Sequence, residues 1–490
     1  MNQELEVGYD SPSMYSPVST VVRKKPATCL PDTPVKEALK TLHGLSTGSI
    51  VVMGIGEMPI GIFTLHDLLN RVAVGETDLN EPISRFMSGN LITLPLQAPA
   101  CQAALAMVRH NIHHVLIMDD NKLAGVVSKD DIFGLQWFGP RRIGSDIQDA
   151  RDLVSLVQTS REIRLLGHKM LTQGLAAELL THFISTLNDL LTRRIIELEF
   201  AREDLAGIEF CWIAMGSEGR FEQTFSSDQD NGIIFRLAAQ AEAESARAVL
   251  SRAADRVNHA LAECDLPLCR GGIMAGNPIN CLSLTEWQKR FATWIDACDP
   301  EALLNATIFF DFRPLYGETA LSVELRTWLA EYARDNNRFL LQMTQNALEN
   351  QPPLGLVRDF VLTSNGEHPH TLDFKVNGIT PFVDAARILA LASGVTDTNT
   401  PQRLRIAGQR LHIHEADLEA WIAAFLFIQA LRLRHQDSLL CQQKIAHNHL
   451  DPNSLNKFER RMLKEAMRQA RKLQLRLARN YSLGSAGYGA

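Results

Sequence analysis

Apolar and polar positions along this chain follow two different rhythms, and the places where one gives way to the other divide it into parts. Residues 18–80 and 82–138 carry the same order twice: a short strand before Pro, a helical stretch, an apolar strand, a Gly-led strand and an acidic helix start. From Ser145 to about Glu203 the period lengthens. Leu153, Leu156 and Val157, then Leu179, Leu180, Phe183, Ile184, Leu187, Leu190 and Leu191 recur at helical spacing and predict two or three helices. IEFCWIAM at 208–215 and DNGIIFRL at 230–237 read as buried strands, and Ala246, Val249, Leu250, Ala253, Val257, Ala260 and Leu261 trace one face of a following helix. PLCRGGIMA reads as a third strand. Beyond about residue 320 helical periods dominate, broken by QPPLG, SNGEHPH and TDTNTPQ, as expected of an all-α bundle. Its last helix is expected to pack through Phe458, Met462, Ala466, Ala470, Leu473 and Leu477.

The N-terminal similarity is a repeat. GIFTLHD at 61–67 aligns with GVVSKDD at 125–131, so that Gly61 falls on Gly125, Thr64 on Ser128 and Asp67 on Asp131, all at an offset of 64, which also carries Pro31 onto Pro95. A hydroxyl three residues before a carboxylate, where a strand yields to a helix, serves either as an ordinary cap or as a phosphate-facing helix start.

At 490 residues the chain predicts about three domains. Its 49 basic and 56 acidic residues give a formal charge of -7, against a surface built wholly for nucleic-acid phosphates. The eight cysteines are scattered without a CxxC pair, as in a reducing compartment. MNQELEVGYDSPSMYSP lacks the basic-then-apolar pattern of an export signal, and AWIAAFLFI at 420–428 is too short to span a bilayer, so a cytoplasmic protein without membrane contact is expected.

The chemistry concentrates in MGSEGRFEQTFSSDQDNGIIF at 215–235, which is either a metal-dependent phosphate site or a polar loop between two strands. Side chains alternate with a period of two on a strand, so Asp228 and Asp230 share a face and one cation while Gln229 points away. Two such carboxylates repel unless something positive lies between them, and Mg²⁺ is the natural hard-oxygen neutraliser. Gly216 and Ser217 supply backbone N–H groups and a hydroxyl for phosphate oxygens, and Arg220, oriented by Glu222, is expected to add a forked contact. Asp373 and Lys375 stand just ahead of a helix, where Lys375 either meets a nucleotide phosphate or lies on a surface loop. HIHE at 412–415 and HNH at 447–449 lack a helical i, i+4 pair and read as loop histidines rather than zinc ligands. The last helix carries nine basic residues against two acidic ones, either a solvated face or a contact for an anionic partner; nucleic acid is the less favoured reading.

The duplicated heptapeptide and its surroundings resemble a tandem pair of CBS domains. That resemblance implies two units packed face to face around an adenine nucleotide, AMP or ATP, with Thr64 and Ser128 toward phosphate and Asp67 and Asp131 on ribose, in a protein expected to dimerise through this pair. The Gly-Ser turn followed by Asp-x-Asp resembles the polymerase-beta-like nucleotidyltransferases. With GGIMAGNP at 271–278, IFFDFRPLYG at 308–317 and LDFKVNGITPFVDAARILAL at 372–391, the chain is similar to bacterial signal-transduction nucleotidyltransferases in which CBS domains precede the transferase, relatives of the protein-PII uridylyltransferases.

The fold so implied is α/β and all-α multidomain: a flexible tail at 1–17, a tandem CBS (βαββα) pair at 18–80 and 82–140, a helical connector at 145–205, a nucleotidyltransferase α/β domain at 206–320 and a helical substrate-binding domain at 321–485. The implied activity is Mg²⁺-dependent transfer of a nucleotidyl group from an NTP to a hydroxyl of an acceptor protein or small molecule, with Asp228 and Asp230 as catalytic metal ligands; a catalytically inactive nucleotide sensor is the alternative. Such enzymes commonly place a third carboxylate on the third strand, where PLCRGGIMA has none. Asp311 and Glu209 are the candidates to replace it, with pairing to Arg313 as the other role open to Asp311.

Overall fold

The structure, a computed structural model, describes residues 16–22, 25–45, 47–73, 78–110, 112–133, 139–237, 242–355, 360–362 and 367–481; all but the last two residues of the expected N-terminal tail lie outside these. The chain forms two compact units, one ending at Ser145 and the other beginning at Asp146.

The first unit is the repeat made solid. Strand β1 (Thr28–Cys29), helix α1 (Val35–Gly44), β2 (Ser49–Met53) and β3 (Pro59–Thr64) are followed by the short helix Leu65–Asp67. The second copy has β4 (Thr93–Pro95), α2 (Ala100–His110), β5 (His114–Asp119), β6 (Lys122–Ser128) and the short helix Lys129–Phe133. In each copy the first strand runs parallel to the second and the second antiparallel to the third. Val35, Ala38 and Leu42 share one face of α1 and bury against Ile50, Val52 and Phe63, because i, i+3 and i+7 positions line up on a helix.

The second unit holds the connector helices α3 (Leu153–Thr172) and α4 (Ala177–Phe200), a four-stranded sheet, and the helical region. The sheet runs β10-β7-β8-β9, from β7 (Ile208–Ala214), β8 (Asn231–Leu237), β9 (Cys281–Ser283) and β10 (Arg313–Gly317); β7 is antiparallel to both neighbours, and β8 is parallel to β9. Helices α5 (Ala243–Glu263), α6 (Leu284–Ala297) and α7 (Pro300–Phe309) connect the strands. Then come α8 (Thr319–Arg334), α9 (Asn337–Glu349), α10 (Thr380–Ala392), α11 (Thr400–Arg410), α12 (Glu415–Cys441) and α13 (Lys457–Asn480). Ile213 and Ile234 of the sheet and Met215 just after β7 belong to the same contiguous apolar core as Phe382, Phe425 and Leu473 of the helices.

Two expectations are corrected here. PLCRGGIMA is a loop rather than a strand: Gly272 takes φ +68°, its N–H donates to the Cys269 carbonyl at 3.0 Å, and the third strand forms later, at β9. The packing face of α13 is rotated from the expected stripe, with Leu463 and Met467 buried beside Ala466, Ala470, Leu473 and Leu477, while Phe458 is 71% exposed. Among the described residues no helix is long and apolar enough to cross a membrane.

Candidate functional site

Two glycines shape the turn after β7. Gly216 takes φ +55°, a conformation costly for residues with a side chain, and a Cβ there would collide with the Asp230 carboxylate. At Gly219 a Cβ would strike the backbone carbonyl of Asp311, so only glycine lets the chain segment leading into β10 cross this turn. The Met215 N–H donates to the Asp230 carbonyl at 2.7 Å, which carries the β7–β8 ladder one step past the strand and fixes where the acidic pair stands.

Asp228 and Asp230 sit in the extended segment entering β8, with Gln229 between them turned the other way, as the period of two predicts. Gln229 is buried: its amide donates to the carbonyls of Asn258 and Leu266 at 2.9 and 2.7 Å and accepts from Asn258 at 2.8 Å, tying the pair to α5. The carboxylates of Asp228 and Asp230 and the thiol of Cys269 have ligand atoms within 4.8 Å of one another. Burial first, and then the charge of Asp228, push Asp230 up to about 6, against the lowering effects of the Cys269 hydrogen bond and the charges of Lys375 and Arg220. This donor set fits one divalent cation, since two carboxylates and a thiol bring their ligand atoms within 4.8 Å of one another. Lys375 is exposed on the π-helical turn Phe374–Ile379, its backbone N–H held by Asp373 at 2.8 Å.

Arg220 is where expectation and structure part. Its Nε donates to Glu222 at 2.8 Å, so Glu222 does orient it, but its Nη1 donates to Asp311, also at 2.8 Å, 91 residues away in sequence. A guanidinium so committed acts on the site through its charge rather than as an open fork. Asp311 is fully buried and accepts from Arg387 at 3.0 and 2.7 Å and from Arg403 at 2.6 Å as well. Burial alone would raise its pKa; Arg387, Arg403 and Arg220 outweigh that and hold it well below the usual carboxylate range. It is therefore no proton acceptor. Nor does it pair with Arg313, which instead meets Asp189 at 2.7 Å and lies over the Phe221 ring at 3.6 Å. Glu209 is exposed on β7, paired in register with Arg236 at the opposite end of the strand from the turn.

The helical region grips this turn from outside. Thr398 Oγ1 donates to the Gly219 carbonyl at 2.6 Å, Asn399 Nδ2 to the Arg220 carbonyl at 3.0 Å, and the Thr400 N–H to Glu222 at 2.8 Å. Gln436 of α12 reaches Ser226, two residues before the acidic pair, at 2.9 Å.

Sequence reasoning missed Cys269 and Glu218 as site groups. Glu218 lies in the Gly216–Gly219 turn, 6% exposed, and burial, followed by the charge of Asp189, pushes it up to about 8, with Asp230 adding to the rise. A carboxyl whose native pKa exceeds its unfolded one binds its proton more tightly when folded. Its contribution therefore favours the native state in acid and turns against it as pH climbs from the ordinary range near ~4.3 toward 8. Glu218→Gln, which keeps the shape and discards the titration, is expected to raise the melting temperature more at pH 8 than at pH 5. Equal shifts at both pH values by calorimetry would refute this.

The HIHE and HNH histidines have different surroundings. His414 caps α12, accepting from the Ala416 N–H at 3.2 Å. His447 and His449 stack beside His368 at ring distances of 4.4 Å, and burial with neighbouring His447 brings His435 down to about 4.

In the first unit, the repeat's matched residues form two equivalent caps. Thr64 Oγ1 donates to Asp67 at 2.7 Å and Ser128 Oγ to Asp131 at 2.6 Å, and each carboxylate also accepts its partner's backbone N–H. Asp67 further accepts from Ser88 at 3.0 Å. A cavity of about 550 Å³ opens between the copies, walled by Thr64, Asp67, Ser88, His114, Ser128 and Lys129. Asp131 stands behind Ser128 rather than in that wall.

A pair of βαββα repeats around a cleft, and a mixed sheet presenting a glycine turn against two acids, define a multidomain nucleotidyltransferase-like class. Residues 18–74 and 83–136 match the CBS domain family; 161–301 match the family described as "Putative nucleotidyltransferase DUF294", and 337–481 that described as "Putative nucleotidyltransferase substrate binding domain". The chain thus belongs with the proteins that join a CBS pair to a DUF294 nucleotidyltransferase module and its C-terminal substrate-binding companion. It is 35% identical over 123 residues to an uncharacterised protein of Methanopyrus kandleri, covering 24% of this chain and 62% of that one, just under two thirds. A bifunctional glutamine synthetase adenylyltransferase/adenylyl-removing enzyme of Leifsonia xyli is 30% identical over 181 residues, 36% of this chain and 17% of that enzyme. Among solved structures, a CBS domain protein from Pyrobaculum aerophilum complexed with AMP is 25% identical over 24% of this chain and 88% of its own, with a TM-score of 0.23. A conserved protein from Pyrococcus horikoshii is 30% identical over 25% of this chain and 94% of its own, with a TM-score of 0.25.

Proposed function

We propose that the protein transfers a nucleotidyl group from an NTP to a hydroxyl acceptor, on a protein or a small molecule, and that an adenine nucleotide in the CBS cleft controls the reaction. The observation that carries the reading is the convergence of Asp228, Asp230 and Cys269 beside the Gly216 turn. Asp228 and Asp230 would hold the divalent ion, with the Cys269 thiol beside them. Bound there, Mg²⁺ or a related ion would neutralise triphosphate charge and favour departure of pyrophosphate. The Gly216–Gly219 turn would offer its backbone to phosphate oxygens, Lys375 would add an exposed positive charge, and Arg220 would support the field from behind. In the reaction an acceptor oxygen bonds to the α-phosphorus, the bridge to the β-phosphate breaks, and the hydroxyl proton passes to water. Incubation with α-labelled NTPs and a cell extract tests this: label entering an acceptor, with stoichiometric pyrophosphate, is expected.

One observation favours a second reading, a nucleotide sensor without turnover. The third position at the acidic pair is a thiol, and the candidate replacement acid Asp311 is locked among three arginines. That reading predicts metal-dependent NTP binding with no pyrophosphate released under any condition.

For the cleft, Lys129 is the informative residue, because it lines the cavity without serving as the Ser128 cap. Lys129→Ala is expected to weaken AMP or ATP binding about 10- to 100-fold, the value of one charge-assisted hydrogen bond. Calorimetry giving wild-type affinity would place the nucleotide elsewhere. Light scattering of the full chain checks the dimer proposed for the CBS pair.

A further inference from the structure

The seam between α3 and α12 carries a ligand-bearing cluster that nucleotidyl transfer does not use. His168 lies near the C-terminal end of α3; Asp437 and Cys441 stand four residues apart near the end of α12, and so on one face of it. His168 Nδ1 is 2.8 Å from Asp437 Oδ1 and 3.8 Å from Cys441 Sγ, and ligand atoms of all three lie within 4.8 Å of one another. In a tetrahedral zinc site with bonds of about 2.0–2.3 Å, neighbouring ligand atoms stand about 3.2–3.8 Å apart, so little movement is needed to seat an ion.

The chemistry of the three groups narrows the ion. A hydrogen-bonded His–Asp pair accounts for two of them, but not for a thiol brought to the same nitrogen from one turn further along the helix. Cys441 is also the one exposed thiol of the eight cysteines; the others are buried or half-buried. Imidazole, carboxylate and thiolate together suit a borderline ion such as Zn²⁺ and are a poor set for Mg²⁺ or Ca²⁺, which favour oxygen. Thiolate and carboxylate supply two negative charges against the ion's two positive ones. His168 is 41% exposed at its side chain and Asp437 14%, so the ion has a way in while the pair keeps a firm orientation.

We propose that His168, Asp437 and Cys441 form a zinc-binding site, its fourth position open to water, that clamps α3 to α12. Both helices are long, which presets the three ligands, and the clamp joins segments 269 residues apart in sequence. Occupancy ties the connector to the helical region that grips the Gly219–Glu222 turn. The proposal stands independently of nucleotidyl transfer.

Cobalt reports on such a site through thiolate-to-metal charge transfer and the visible bands of tetrahedral Co²⁺. Because Cys269 is a second thiol beside carboxylates, the titration uses full-length chelator-treated protein carrying Asp228→Asn, Asp230→Asn and Cys269→Ser. One Co²⁺ per chain with both spectral features is expected. Zn²⁺ should displace it while excess Mg²⁺ does not. Adding Cys441→Ser should remove the charge-transfer band, and adding His168→Ala should weaken binding at least about tenfold. If the triple variant misfolds, the difference spectrum between wild type and Cys441→Ser, a single exposed change, carries the same information. Absence of a charge-transfer band in the folded background, or identical spectra with and without Cys441, overturns the site.

Discussion

Asp228→Asn with Asp230→Asn is expected to cost more than about 100-fold in affinity for metal-bound NTP, and with it all measurable transfer. The figure is a lower bound, since loss of groups that merely orient a ligand already costs about 10- to 100-fold, and here both anionic ligands go. The fold should survive, because these side chains repel each other in the free protein: Asp230 sits at about 6 on account of its burial and of Asp228. The double variant should therefore melt no lower than wild type, a combination that separates a functional role from a structural one. Isothermal calorimetry with Mg²⁺ and a non-hydrolysable ATP analogue, beside a thermal scan, reads both. Undiminished binding would move the site off the acidic pair. Cys269→Ser belongs in the same series: if the thiol is a ligand, the variant should lose affinity for Mn²⁺ or Co²⁺ while keeping it for Mg²⁺.

Asp311→Ala should be the most damaging single substitution in the second unit. Removing one partner of a buried ion pair costs about 3–5 kcal/mol because it strands the opposite charge, and here Arg387 and Arg403, each 2% exposed at the side chain, are left together with Arg220. Glu324→Ala provides the control. Its pair with Arg236 is about half exposed on both sides, and its loss should lie within about 0.5 kcal/mol. Urea unfolding of the two variants makes the comparison, and similar midpoints would contradict it. The pH dependence has a definite sense. A carboxyl held below its unfolded value contributes stability above the ordinary aspartate range near ~3.9, and that stability fades as pH falls toward the depressed native value. The network should accordingly outlast the weaker surface pairs during acidification.

Local periodicity made part of this legible. The repeat, the strands flanking the glycine turn, the common face of Asp228 and Asp230 and the opposite aim of Gln229 all follow from side-chain alternation over a few residues. What escaped was set by distant packing. Arg220 finds Asp311 across 91 positions, Asp311 finds Arg387 and Arg403 across 76 and 92, and Cys269 reaches the acids from a loop whose composition resembles a strand. In α13 two apolar stripes were available, Phe458 with Met462 and Leu463 with Met467, and only the position of the neighbouring helices selects the second. Glu218 was passed over because an acid beside a glycine turn gives no sign of being sealed from water; that depends on Asp189 and Arg313 closing around it.

The uninterrupted apolar core shared by the sheet and the helices behind it bears on how an acceptor would be chosen. A site wall that shares one packed core with the helices behind it would move only together with that backing. Fit would then be negotiated at the rim, by exposed side chains such as Lys375, and selectivity should change with exchanges there far sooner than with any repacking inside.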